Sequence, residues 1–143
     1  MTVLVDTSVW VDHLRERQGA HVAELRALLL RPRAVATAPP ILQEVLQGAK
    51  TREHFASLSQ RFARIQCFAP RDAIASAIES ARLYLECRLR GTTPRSSHDC
   101  LIACIAIEHG LALLHNDRDF DAIAQVEPTL RIYRYVPRGL VHE

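Results

Sequence analysis

The chain has 143 residues, 48% of them hydrophobic, and a formal net charge of only +2. This length and apolar content predict one domain over residues 1–137, followed by a short tail at residues 138–143. No apolar run approaches the roughly 20 residues of a membrane span, and the N-terminus has no basic segment before a long apolar one, so we expect a soluble cytoplasmic protein.

The basic residues are almost all arginine. Lys50 is the only lysine among the 18 basic residues. Because the planar guanidinium group binds pairs of phosphate oxygens, this bias suits a nucleic-acid partner, although the codon usage of a GC-rich genome produces the same excess. The charge is therefore compatible with RNA binding but does not demonstrate it.

The first half of the chain alternates short apolar strands with helices. Residues 2–5 and 35–37 have the composition of buried strands. Thr7 or Ser8 is suited to cap a first helix, and Pro39-Pro40 is suited to the first turn of a third. The predicted helices of this half, after the first one, cover about residues 19–30, 39–48 and 52–65.

The second half continues this alternation, with strands predicted at residues 66–68, 111–114 and 130–133. A long amphipathic helix is predicted over residues 72–89, with an apolar stripe at Ile74, Ile78, Ala81 and Leu85. The next helix, capped by Ser96 or Ser97, is apolar on every side from Cys100 to Ile107. Asn116 is suited to cap a last helix that reaches Ala124. Such alternation is typical of an α/β three-layer sandwich, in which helices flank a central parallel sheet.

Four carboxylates lie in apolar stretches that are expected to be buried: Asp6, Glu44, Asp99 and Asp117. An ionised carboxylate without a counter-charge is costly to bury, so converging acids indicate a bound cation. Asp6 and Asp117 each follow a predicted strand, at the edge of a parallel sheet where ligands bind. Hard divalent cations prefer oxygen ligands, which favours Mg²⁺, with Mn²⁺ as a substitute.

Each of these acids also has a structural interpretation. Asp6 is placed to cap the first helix, Asp99 and Asp117 to complement a helix dipole, and Glu44 to lie partly exposed on its helix. Taken together, acids converging at one sheet edge favour a metal site over separate coincidences.

Several neighbouring polar residues are candidates for supporting roles. Ser8 is placed to orient a carboxylate, and its alternative is a plain helix cap. Asp119 is either an outer acid or, with Asn116, part of a capped turn. His98 and His115 lie beside two of the acids and are suited to contact a bound water or a phosphate.

With these residues in view, the chain resembles the PIN-domain ribonucleases, and in particular the VapC toxins of type II toxin-antitoxin systems. The segments that carry the resemblance run in order from Val5 to Trp10, through Glu44, from Asp99 to Ala103, and from Asn116 to Phe120. The resemblance implies a PIN-like fold and identifies Asp6, Glu44, Asp99 and Asp117 as catalytic metal ligands. One departure is His115, since such toxins often have Thr or Ser at that position.

The resemblance also implies an activity and partners. The activity is metal-dependent endonucleolytic cleavage of structured RNA, commonly tRNA or ribosomal RNA, and the partners are a VapB-type antitoxin and a second toxin copy in a homodimer. The arginines proposed to contact RNA are Arg88, Arg90, Arg95 and Arg118.

Three other functions compete with a nuclease. A phospho-acceptor receiver requires adjacent acids near the first strand and a late lysine, and no lysine follows Lys50. A haloacid-dehalogenase-type phosphatase requires a second Asp where this chain has Ser8. A catalytically silent PIN-like module that binds RNA or protein stays open, although such a module has no need of mutually repelling acids.

Overall fold

Four short strands form one parallel sheet in the computed structural model, which describes residues 1–136. The strands are β1 (Val3–Val5), β2 (Val35–Thr37), β3 (Gln66–Cys67) and β4 (Ala112–Leu114), in the order β3-β2-β1-β4. Every residue of β1, β2 and β4 is buried, which explains why these segments are apolar apart from Thr37. The expected α/β sandwich with a central parallel sheet is confirmed.

Seven helices flank the sheet within residues 1–136, and the bounds of each agree closely with those of a predicted helix. They are α1 (Thr7–Leu14), α2 (Ala20–Leu29), α3 (Pro39–Leu46), α4 (Arg52–Phe62), α5 (Ala73–Leu89), α6 (His98–Glu108) and α7 (Arg118–Val126).

The last predicted strand, over residues 130–133, forms less than a strand. Within the described part of the chain this segment pairs with β4 through a single bridge, Leu113 to Ile132. Since β4 has only three residues, it provides a short edge for a partner. The prediction of a full strand here was wrong.

Aspartates cap two of the helices. Asp6, which the sequence offers as a cap beside Thr7 and Ser8, is the N-cap of α1, and its side chain accepts a hydrogen bond from the Ser8 amide. Asp117, rather than Asn116, caps α7 and accepts from the Asp119 amide. Aspartate is as good an N-cap as serine or asparagine, so local preference does not distinguish these neighbours.

Helix α5 buries a different face from the one predicted. Ile74, Ile78 and Leu85 are 75%, 67% and 46% exposed. The buried residues are Ser76, Ser80, Leu83 and Cys87. These positions repeat the predicted spacing with an offset of two residues, which is about 200° around a helix. The prediction of the buried face was wrong because α5 packs closely on α6, and small side chains permit that approach.

The core contains α6 and the buried strands β1, β2 and β4. Ile102, Ile105 and Leu113 are at most 1% exposed, and Phe120 of α7 is fully buried. The expectation that α6 is deeply buried is therefore confirmed. No helix within residues 1–136 is both long and apolar enough to cross a membrane. The tail proposed at residues 138–143 lies outside the described residues, so the domain boundary stays a prediction.

Candidate metal centre

Asp6 and Asp117 lie at the same edge of the sheet because the strands before them are adjacent and parallel. Val5 of β1 is paired with Leu114 of β4, and the Asp6 amide donates to the Leu114 carbonyl at 2.9 Å. The loops after the two strands are also joined, since the Asn116 amide donates to the Ser8 hydroxyl at 3.0 Å. Two carboxylates that are far apart in the sequence thus meet at the carboxyl ends of the strands.

Asp6 is held rigidly and is only 5% exposed. Its Oδ2 accepts hydrogen bonds from the Ser8 amide at 3.0 Å and from the Ser8 hydroxyl at 2.7 Å. Burial raises the pKa of Asp6 above its usual value, although the bonds from Ser8 oppose that rise. Ser8 therefore orients Asp6 and also connects it to the loop that carries Asp117.

Asp99 lies in the first turn of α6 and is 6% exposed. Its Oδ2 is buried and has no hydrogen-bond partner. Burial, followed by the charges of Asp6, Asp117, Asp119 and Glu44, raises the pKa of Asp99 from 3.8 to about 7. A buried carboxylate oxygen without a donor, surrounded by other acids, is an arrangement that a cation stabilises.

Asp119 is closer to the centre of this cluster than the sequence indicates. Within residues 1–136, one group of acids has ligand oxygens that all lie within 4.8 Å of one another, and its members are Asp99, Asp117 and Asp119. We call these three residues the acidic trio. Asp6 and Glu44 lie outside this tight group, although their charges reach Asp99.

Glu44 occupies the margin of the site, on α3. Its Oε1 accepts from the Thr7 hydroxyl at 2.9 Å, and its Oε2 lies 3.9 Å from Nδ1 of His98. Thr7 is a contact that the sequence analysis missed. The sequence does contain a signal for this contact, a hydroxyl residue directly after Asp6, but helix capping explains the same residue.

Arg95 places a positive charge directly on the acidic trio. Its Nη2 donates to Oδ1 of Asp117 at 2.9 Å, and its Nε donates to Oδ2 of Asp119 at 3.0 Å. The Arg95 amide also donates to the same Asp119 oxygen at 3.1 Å. Burial favours a higher pKa for Asp119, but these bonds from Arg95 bring it below its usual value. Arg95 thus neutralises part of the cluster from the loop between α5 and α6.

The other arginines named as RNA contacts have different surroundings. Arg118 is exposed at the start of α7, close enough for its charge to act on Asp119. Arg88 lies over the ring of Tyr84, 5.3 Å from its centroid, and Arg90 donates to the Val126 carbonyl at 3.4 Å. Val126 ends α7, about 12 Å along the helix from its first residue. Arg90 therefore lies beside the end of α7 that is distant from the trio.

His115 lies two residues before Asp117 and contacts its backbone. Its Nδ1 accepts from the Asp117 amide at 3.1 Å, and its Nε2 lies 3.3 Å from a carboxylate oxygen of Asp121. A neutral imidazole with its proton on Nε2 satisfies both contacts. His115 thus holds the backbone of Asp117 in place through a ring nitrogen.

The residues of this site fit a hard divalent cation. The donors available are carboxylate oxygens, which Mg²⁺ and Mn²⁺ prefer, and no cysteine belongs to the trio. The unpartnered Oδ2 of Asp99 is the strongest indication, since neighbouring acids surround it with negative charge.

Comparison with known proteins identifies the family of this fold. A family model for the PIN domain matches residues 3–126. Ribonuclease VapC11 of Mycobacterium tuberculosis is 37% identical over 125 residues, which cover 87% of this chain and 92% of that protein. VapC ribonuclease Mb1587 of Mycobacterium bovis matches to the same extent. The crystal structure of VapBC2 from Rickettsia felis, bound to a DNA fragment from its promoter, has a TM-score of 0.71 at 21% identity and covers 95% of this chain and 100% of the matched chain.

The parallel topology and the family match agree with each other. The chain belongs to the PIN-domain family, and VapC ribonucleases are among its relatives.

Proposed function

We propose that the protein is a Mg²⁺- or Mn²⁺-dependent endoribonuclease, the toxin of a VapBC-type toxin-antitoxin pair, acting in the cytoplasm on structured RNA such as tRNA or ribosomal RNA. The observation that carries this proposal is the buried, unpartnered Oδ2 of Asp99 among the other acids. The relatives named as VapC ribonucleases support the same activity.

In this proposal Asp6, Glu44, Asp99 and Asp117 are the catalytic acids and hold the cation, and Asp119 contributes an additional oxygen. A bound divalent cation lowers the pKa of a water molecule and stabilises charge on the leaving oxygen of a phosphodiester. Ser8 fixes the direction of the Asp6 carboxylate, and the Asn116 amide fixes Ser8 in turn. These supporting bonds keep the ligands in position before a cation arrives, which limits the reorganisation that binding requires.

The proposed antitoxin partner rests on relatives rather than on a contact in this chain. The matched chain from Rickettsia felis belongs to a VapBC complex. A VapB-type protein that covers the acids would block access of RNA to them.

The proposed homodimer has support in the exposed face of α5. Ile74, Ile78, Leu85 and Leu89 are exposed on this helix, between 46% and 75%. Contiguous apolar surface of this kind marks an interaction site, and a second copy of the chain would bury it.

A cleavage assay tests the activity. Purified protein is incubated with tRNA and with a ribosomal RNA fragment, in Mn²⁺ and in EDTA, together with an Asp99→Asn variant and, as a control, Glu53→Gln on the exposed start of α4. We expect cleavage that requires the metal, is lost in Asp99→Asn and persists in Glu53→Gln. Metal-independent cleavage that survives Asp99→Asn would contradict the mechanism.

The second candidate function is the catalytically silent PIN-like module. RNA or antitoxin binding without turnover in either metal would favour it. The cost of keeping Asp99 buried without a partner argues for the enzyme, because a binding module gains nothing from this strain.

A further inference from the structure

A groove lies between α1, α3 and α4, beside the acids. Its volume is about 520 Å³. The side chains at its rim include Arg15, Lys50, His54 and Arg61, whereas Leu14 and Leu58 contribute an apolar floor. We call this cavity, with the residues just named, the α1–α4 groove.

The cations at this rim are available to a ligand. Arg15, Lys50 and Arg61 are exposed, and within residues 1–136 none of the three forms an ion pair with a carboxylate. Arg17, close by in the sequence, is by contrast paired with Asp12 at 3.0 Å. Unpaired arginine and lysine side chains around a concave surface attract phosphate.

The start of α4 adds a further positive contribution at the same rim. Thr51 caps this helix and accepts a hydrogen bond from the His54 amide at 3.0 Å. Lys50 directly precedes the cap and lines the same cavity, so its charge and the positive end of the helix dipole both contribute to this groove. Glu16 and Glu44 are the acids that line the cavity, and Glu44 is already part of the metal centre.

Glu44 makes the groove continuous with the metal centre. Its carboxylate accepts from Thr7, at the start of α1, and Glu44 also lines the cavity. Leu14, on the floor, lies seven residues beyond Thr7, which is about 10 Å along the helix. An RNA strand with one phosphate at the acids therefore reaches the groove with its neighbouring nucleotides.

We propose that the α1–α4 groove binds the RNA backbone on one side of the cleaved phosphate, an inference that rests on the nuclease activity proposed above. Phosphates contact Lys50, Arg61 and Arg15 at the rim, and ribose and base lie on the apolar floor. This combination of basic rim and apolar floor is typical of single-stranded nucleic-acid sites. It assigns RNA binding to a surface different from the one around Arg88 and Arg90.

The position and the apolar floor of the groove, rather than its charge, favour RNA over an alternative occupant. An acidic segment of an antitoxin would also be attracted to this rim. RNA is favoured because the groove leads directly to the acids where a phosphodiester has to be placed, and because the apolar floor accepts bases.

A second arginine-lined groove provides a matched control. Arg31 and Arg64 line a cavity of about 410 Å³ next to β2 and β3, close to the residues where these strands begin. The acids lie at the opposite ends of the strands. Removing two charges there changes the net charge by the same amount as removing two at the α1–α4 groove.

The experiment measures RNA binding in a cleavage-deficient background. Asp99→Asn is combined with Lys50→Gln and Arg61→Gln, with Arg31→Gln and Arg64→Gln as the control pair, or with Arg88→Gln and Arg90→Gln as the rival surface. Fluorescence anisotropy of a labelled RNA that the wild-type protein cleaves gives Kd at several salt concentrations, and circular dichroism verifies folding. Binding of an antitoxin peptide is measured in parallel.

We expect the Lys50 and Arg61 changes together to weaken RNA binding roughly tenfold or more, since one exposed ion pair contributes up to about a fivefold effect. The salt slope should fall by about 0.7 for each lost phosphate contact. The control pair should change Kd less than threefold. Equal effects of the two pairs, a larger loss from the Arg88 and Arg90 pair, or a loss confined to antitoxin binding would overturn the proposal. Absence of RNA cleavage by the wild type would instead refute the proposed function.

Discussion

Replacing Asp99 by asparagine is expected to stabilise the metal-free protein at alkaline pH. The pKa of Asp99 is raised from 3.8 to about 7 by burial and by the surrounding acids, so the folded protein holds this proton more tightly than the unfolded chain does. Between these two values the folded state binds more protons, and stability therefore falls as pH rises from about 4 to about 7. Asparagine has no proton to lose, so the Asp99→Asn variant should lack this decrease in stability.

The size of the effect follows from the pKa displacement. The increase in the pKa of Asp99 from 3.8 to about 7 corresponds to about 4 kcal/mol of destabilisation once Asp99 is fully ionised. The new amide is buried, and an imperfectly paired amide costs about 1–3 kcal/mol. We therefore expect Asp99→Asn to be more stable than the wild type by about 2 kcal/mol at pH 8, and to lose this advantage at pH 4.

Urea unfolding of the two proteins in EDTA, from pH 4 to pH 8.5, measures this difference. Glu53→Gln removes an exposed acid of α4 and should follow the wild-type profile. A difference between Asp99→Asn and wild type that is independent of pH would refute the reasoning. If the stability of Asp99→Asn relative to wild type decreased from pH 4 to pH 8, the predicted direction of the effect would be wrong.

Three other experiments test the metal centre and the exposed apolar face of α5. Mn²⁺ at about 100 times its Kd should stabilise the wild type by about 2.7 kcal/mol in thermal unfolding, and an equal gain in Asp99→Asn would contradict a shared site. In calorimetric titration, the Arg95→Gln protein should bind Mn²⁺ roughly tenfold more tightly than the wild type. The control Arg118→Gln has the same charge change and should increase the affinity less than threefold. Equal increases in the two variants would contradict direct competition between Arg95 and the cation. Light scattering should show Ile78→Glu as a monomer and Leu30→Glu, at another exposed apolar residue, as a dimer, whereas a dimer in both would argue against the α5 interface.

The positions of the acids at one sheet edge follow from sequence because strand pairing is a simple rule. Asp6 and Asp117 each follow a buried apolar strand, and parallel strands end at a common edge. The apolar run from Cys100 to Ile107 predicts a buried helix, because no face of it is polar. These predictions need only local patterns and one general property of parallel sheets.

The buried face of α5 could not be predicted in the same way. Two stripes with identical spacing lie on opposite sides of this helix, one containing Ile74 and Ile78 and the other Ser76 and Ser80. Hydrophobicity selects the first stripe, but close packing against α6 selects the small residues of the second. Periodicity describes a helix by itself, whereas the buried side depends on its neighbour and on whether another chain covers the remainder.

The contacts of Arg95 with the acids could not be predicted from the sequence, because Arg95 lies in a loop and loops have no repeating pattern. In the folded chain Arg95 donates to Asp117 and Asp119, the same carboxylates that are proposed to help hold a cation. A cation bound there would compete with the Arg95 guanidinium for these oxygens, and each would weaken the binding of the other by the same factor. Because the Arg95 amide also bonds to Asp119, this competition would extend to the backbone between α5 and α6. Cation binding would thus be linked to the conformation of this loop, and a released guanidinium would lie beside the acids with its positive charge available to an incoming phosphate.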